Sequence, residues 1–148
     1  MNQDTERFVL ELLASHNVLT LATNRADGWP QATTVGYVND GLRIYVMTFP
    51  QAQKVANIER DPRVSLTVDR DETDWSKIRG LSMAATAEFV TDPAEIQRVG
   101  ALMMAKFPQI KDMPPPDPAD VTVLRLTPKV ISLLDYARGF GHTELIRI

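Results

Sequence analysis

The chain has 148 residues, 44% of them hydrophobic, enough for one domain spanning residues 1–148 around a buried core. Its 16 Lys and Arg against 19 Asp and Glu give a formal charge of -3 with no basic block, which excludes a nucleic-acid partner and an anionic-membrane surface. The chain has no cysteine, so disulfides, thiolate catalysis and cysteine-ligated zinc fall together; no apolar run reaches membrane-spanning length, and a cytoplasmic protein is expected.

Asp4 is placed to cap a first helix whose Phe8, Val9, Leu12 and Leu13 share one face. Val18 to Thr23 is a short β-rich run, and Asp27-Gly28 with Trp29-Pro30 turns the chain into the next strand. Gln31 to Val38 alternates, with Thr33, Val35 and Tyr37 on one face and Ala32, Thr34, Gly36 and Val38 on the other. Asn39-Asp40-Gly41 then predicts a hairpin turn, from which Leu42 to Met47 runs back beside that strand.

Thr48-Phe49-Pro50-Gln51 fits an N-terminal capping pattern for a helix from Gln51 to Arg60, with Gln53 and Lys54 in its first turns. Phe49 precedes a proline, which disfavours helical geometry and makes a start one residue later the alternative. A helix start exposes unpaired N–H groups and the positive end of its dipole, so a Thr hydroxyl, a Gln amide and a Lys ammonium gathered there make an anion site. The plain alternative is a solvated lysine.

Arg63 to Val68 alternates again, with Val64, Leu66 and Val68 inward. Asp69 to Asp74 lacks the central Gly and terminal Glu of a calcium loop and reads as a solvated acidic loop. In Leu81 to Val90 the alternation continues, and its small residues allow another surface to approach closely, as in a strand that faces a partner. Asp92-Pro93-Ala94-Glu95 opens a helix carrying Ile96, Val99, Met103 and Phe107 at helical spacing. Pro108 to Pro118 holds half of the chain's 10 prolines and reads as an extended surface connection. Val121 to Leu126 and Val130 to Tyr136 form a strand pair, or one long strand interrupted at Pro128. The glycine-flanked tail Arg138 to His142 should turn.

Helices scattered among short antiparallel strands favour a closed or partly closed barrel with helices on its rim. There is no nucleophile elbow, no Walker loop and no metal-binding histidine pattern; His16 and His142 stand far apart, and Asp135 with His142 is supported as an acid–base pair by spacing alone. Trp75 is placed to stack on a planar ligand or simply to pack. Any chemistry is then expected from a bound cofactor.

The ordered set Pro30 to Val35, Asp40-Gly41, Met47-Thr48, Gln53-Lys54, Asn57-Ile58 and Asp61 to Leu66 resembles the pyridoxamine 5'-phosphate oxidase-like FMN-binding split barrels. The resemblance implies a mainly β fold, a six-stranded antiparallel split β-barrel of Greek-key type with three flanking helices. It also implies a homodimer with FMN at the subunit interface and a small-molecule substrate or electron donor. Carried over residue by residue, Ala32, Thr33, Thr34 and Val35 lie along the flavin ring and ribityl chain, Met47 and Thr48 near the ribityl and phosphate, and Gln53 and Lys54 at the phosphate. The vitamin B6 oxidases of this family carry arginines where this chain has Thr33 and Gln53, and their basic C-terminal substrate signature is missing. Loss of a charged hydrogen bond costs about 1.5–3 kcal/mol, so weaker FMN binding and a substrate other than pyridoxamine phosphate are expected. Two alternatives to an FMN oxidoreductase stand: a non-catalytic protein that binds or stores flavin, deazaflavin or haem, and a dimeric scaffold without ligand.

Overall fold

In a computed structural model that describes residues 1–148, the first helix, α1 (Gln3–Ser15), turns Val9, Leu12 and Leu13 into the core. Its cap is Asn2 rather than the expected Asp4: the Asn2 Oδ1 accepts the Thr5 N–H at 2.8 Å, one of the donors a helix start leaves unpaired. Asp4 lies within the first turn, where its charge complements the helix dipole.

Eight strand segments form one antiparallel sheet: β1 (Val18–Asn24), β2 (Pro30–Gly36), β3 (Val38–Asp40), β4 (Arg43–Thr48), β5 (Arg63–Val68), β6 (Arg79–Phe89), β7 (Thr122–Asp135) and β8 (Thr143–Arg147). They lie in the order β2-β1-β5-β6-β7-β4-β3, with β8 added to β7. The two ends of that order, β2 and β3, are the two arms of one strand bent at Tyr37, so the sheet curls back on itself into a split barrel. Counted that way, six strands make the barrel as expected, and β8 is an unpredicted seventh. It follows a tail that turns at Gly139 (φ 141°) and Gly141 (φ 79°), a conformation open to residues without a Cβ.

The bend corrects the expected hairpin. Leu42 to Met47 does not run beside the whole of Gln31 to Val38: only Val38, Asn39 and Asp40 pair with Tyr45, Ile44 and Arg43, while β2 pairs with β1 from Val18↔Gly36 to Asn24↔Pro30. Tyr37 enforces the change of partner, because its fully buried ring carries a hydroxyl that donates to the Leu13 carbonyl at 2.6 Å. Strand β7 is one 14-residue strand rather than a pair, and Pro128 is tolerated at a β-bulge: Ala84 pairs with Val130 and Ala85 with Pro128, leaving Lys129 unmatched.

The barrel interior is filled by the inward residues of the strands, among them Leu21, Ile44, Leu66, Met83 and Leu126, together with Val9 and Leu13 of α1. A second cluster joins Val99 of helix α3 (Pro93–Lys106) to Val38, Tyr45, Val90 and Val123. Asp92 caps α3 as expected, and Glu95 ties it down, accepting from the Tyr45 hydroxyl at 2.7 Å and from Arg125 at 2.7 and 2.9 Å. Beyond α3 the proline-rich connection is not simply extended, since Pro108–Asp112 and Pro118–Asp120 close into short 3-10 turns. No helix is long and apolar enough to cross a membrane.

Candidate functional site

The barrel is split between β2 and β4. The strands touch beside Tyr37, where two further steps of the Val38↔Tyr45 register set Gly36 across from Met47, and beyond that point they do not pair. Strand β2 has β1 as its only partner, and Met47 and Thr48 of β4 pair only with Val123 and Thr122 of β7. Two strand edges therefore face the split with unmatched backbone donors and acceptors, a ready template for the polar rim of a planar heterocycle. Along β2 the side chains alternate: Gln31, Thr33 and Val35 are half-buried toward the interior, whereas Ala32 and Thr34 are exposed on the outer face.

The helix that follows β4, α2 (Gln53–Arg60), starts later than the capping pattern implies. Thr48 is the last residue of β4 and not a cap; Pro50 sits in a turn closed by the Ala52 N–H donating to the Phe49 carbonyl at 3.0 Å, and Ala52 is the N-cap without a side-chain bond. The first-turn N–H groups thus have no side-chain partner. Lys54 is half-buried beside them and forms no ion pair.

The residue that binds this region together is one that site prediction missed. Asn57 is fully buried and donates to Thr23 Oγ1 of β1 at 2.9 Å and to Gln31 Oε1 of β2 at 3.2 Å, while its own Oδ1 accepts from Gln53 Nε2 at 2.9 Å. One amide so fixes the end of β2 and the start of α2 relative to each other, and orients Gln53. The signal was present in the sequence as a polar residue between Val55 and Ile58, inside the apolar stripe of a short helix. At the far end of α2 the Arg60 guanidinium donates to the Asn24 carbonyl, and Asn24 Nδ2 donates to Asp61 Oδ2 at 3.1 Å. The Asp61 carboxyl, bonded by Arg63 at 2.9 and 3.0 Å, is held far below the usual carboxylate range.

The other chemical candidates disperse. His16 is buried with Nδ1 donating to the Leu12 carbonyl at 2.8 Å, which leaves Nε2 to accept from Arg70 Nε at 3.2 Å. Asp135 and His142 meet through backbone, the Asp135 N–H donating to the His142 carbonyl at 3.2 Å; the Asp135 carboxylate pairs with Arg79 and Arg138 instead. Trp75 packs on Phe140 with ring centroids 6.0 Å apart. No cluster of acidic or histidine side chains has the makings of a metal site, and the acidic loop holds none.

Across the outer face of the sheet two rows of side chains are uncharged over five strands. One row runs Thr34, Thr20, Thr67, Ser82, Ser132, and the next Ala32, Ala22, Ser65, Ala84, Val130. In a chain of which 24% is charged, this is a surface of small, uncharged residues shared by the candidate β2 strand and by β6.

The antiparallel barrel, split beside the start of α2, is a split-barrel fold, and comparison with known proteins places it in a family. The family model described as pyridoxamine 5'-phosphate oxidase matches residues 5–135, and the chain belongs to that family. General stress protein 26 of Bacillus subtilis is 35% identical over 69 residues, 47% of this chain and 49% of that protein. Among solved structures, a haem-binding protein of Mycobacterium smegmatis superposes with a TM-score of 0.81 and 23% identity over 99% of this chain and 59% of its own. The haem storage protein HutZ of Vibrio cholerae superposes with a TM-score of 0.68 and 26% identity over 87% of this chain and 92% of its own. The chain spans about half the length of the curated relative it matches.

Proposed function

We propose that this protein is a homodimeric FMN-binding oxidoreductase. Its flavin lies along the seam between β2 and β4, and its phosphate meets the start of α2. The observation that carries the reading is the conjunction of two unpaired strand edges with an unpaired, half-buried Lys54 at a helix start that lacks a side-chain cap. The edges supply amide and carbonyl groups for the ring; Lys54, the free N–H groups of α2 and the oriented Gln53 supply the positive charge and donors for the phosphate. When bound, FMN supplies the electron transfer that no side chain here is arranged to perform. The uncharged rows of the outer face support self-association, because a second copy laid on them buries no unpaired charge.

Binding or storage of haem is the second reading, favoured by the neighbours named for that ligand. It has less support in the residues. His16 has both ring nitrogens engaged, and the cavity beside His142 measures only about 20 Å³.

The test is the absorption spectrum and mass of the cofactor that copurifies, followed by titration of FMN and riboflavin into wild type and Lys54→Ala. A flavin spectrum with the mass of FMN is expected. Lys54→Ala should raise the FMN dissociation constant roughly ten- to hundredfold and leave riboflavin binding unchanged. A Soret band in place of the flavin bands would move the protein to the haem reading, and equal losses for both flavins would remove Lys54 as the phosphate anchor.

A further inference from the structure

Between the end of α1 and the connection from β5 to β6 lies a cavity of about 360 Å³ that no residue of the cofactor seam or of the uncharged outer rows lines. The connection starts with the acidic segment 69–74 and continues into a short 3-10 turn, Trp75–Lys77. The carboxylates of this segment bond close to home: Glu72 accepts the Asp74 N–H at 3.0 Å, and Asp74 caps the turn and pairs with Lys77. Only the hydrogen bonds of Arg70 reach the helix, its Nε donating to His16 Nε2 at 3.2 Å and its Nη2 to the Ser15 carbonyl at 3.4 Å.

His16 is buried, and its two neighbours dictate one tautomer. The Leu12 carbonyl, 2.8 Å from Nδ1, can only accept, and the guanidinium facing Nε2 can only donate, so the proton sits on Nδ1 and the lone pair on Nε2. A second proton on the ring must go to Nε2, the one position where the new N–H points at another N–H. The bond to Arg70 is then lost, and two cations face each other. Of the two, Arg70 is free to leave: it is exposed and forms no ion pair, whereas the imidazole is buried and keeps its bond to Leu12. We propose that His16 and Arg70 form a proton-operated latch, closed while the imidazole is neutral and opened by its protonation, which frees segment 69–74 from the end of α1.

The charges around the ring do not relieve the contact. Glu11 of α1, Glu72 of the segment, Lys77 of the turn and Arg79 of β6 share the cavity with His16 and Arg70, so a protonated ring joins three cations and meets two carboxylates. Lys77 is drawn to Asp74 and Arg79 to Asp135, and neither Glu11 nor Glu72 accepts a hydrogen bond from the ring or from Arg70. The latch therefore opens as pH falls. It does not depend on which cofactor the seam takes.

The experiment is an NMR titration of the full, isotope-labelled chain from about pH 8 to about pH 5, the interval in which imidazoles change charge. Ring nitrogen shifts should show His16 as the Nδ1–H tautomer at the upper end. Backbone order parameters from Arg70 to Asp74 should fall from about 0.85 to below about 0.6 as the His16 ring takes its proton, while those of β5 and β6 stay high. His142, the other of the two histidines, is the control: His142→Gln should keep the step and His16→Gln should lose it. Should His16→Gln fail to fold, Arg70→Met, at an exposed position, reads the same latch from its other side and should leave the segment mobile at every pH. The proposal is overturned by an Nε2–H tautomer, by order parameters that do not change with pH, by a step that persists in His16→Gln or Arg70→Met, or by a step that vanishes in His142→Gln.

Discussion

Asn57 concentrates more structural consequence than any charged residue in the site. Its three bonds are made inside the protein, where an unpaired amide has no water to fall back on. Asn57→Ala removes the side chain and leaves Thr23, Gln31 and Gln53 to find new partners. It should cost about 1–3 kcal/mol, read from the urea unfolding midpoint at constant slope. A second effect is expected at the same residue: released from Asn57, Gln53 should lose its orientation, and FMN affinity should fall in Asn57→Ala even under conditions where the variant is fully folded. Gly80 is the opposite kind of residue, significant for what it lacks. A Cβ there would stand 2.9 Å from the Val68 carbonyl, so Gly80→Ala must push β5 and β6 apart and should destabilise by about 1–3 kcal/mol.

At the scale of elements, one carboxylate, Glu95, joins α3 to β4 and β7 beside the apolar contacts of Val99. The Arg125 guanidinium and then the Tyr45 hydroxyl hold the Glu95 carboxyl below its ordinary value of 4.5. A carboxyl whose pKa is lower folded than unfolded contributes stability above the unfolded value and loses it as pH falls through the folded one. The melting midpoint should therefore drop as the solution is acidified below about pH 4.5, and Glu95→Gln should show a smaller drop over the same interval while being less stable at neutral pH. An unchanged acid limb in Glu95→Gln would mean that other carboxylates govern that transition. At the far end of α3, Lys106 sits 3.7 Å from the centre of the Tyr37 ring and 3.4 Å from the Leu13 carbonyl, and burial pushes its pKa down to about 8. Helix α3 thus reaches the end of α1 through the same tyrosine that bends the β2–β3 strand.

For the whole molecule the decisive property is the outer face. Its small, uncharged residues permit a second copy to approach, and the seam that the candidate site occupies opens beside β2, which contributes Ala32 and Thr34 to that face. If the dimer uses this surface, Ala84→Glu places two like charges in one isologous contact and should give a folded monomer. Sedimentation velocity of wild type and variant at micromolar concentration checks it. A wild type that sediments as a monomer, or a variant that stays dimeric, would remove this face as the interface.

Strand and helix identity was legible in the sequence because it depends on the spacing of neighbours along the chain. The alternation of Arg63 to Val68, the Asp92-Pro93 helix start and the short run before Asn24 all sit where their periodicity puts them. So did the family, since the resemblance rests on local motifs that the match over residues 5–135 bears out. The tertiary structure alone decided which strand pairs with which. The Gln31 to Val38 alternation is unbroken in sequence, yet its partner changes at Tyr37, because the ring is buried and its hydroxyl is claimed by Leu13, 24 residues earlier. The same holds for the bulge that presents Lys129, for Asn57 reaching Thr23 and Gln31, and for the late start of α2 that frees Thr48 from capping. Each depends on contacts between residues distant in sequence, whose registers are selected by the packing of the whole core and leave no local periodicity to read.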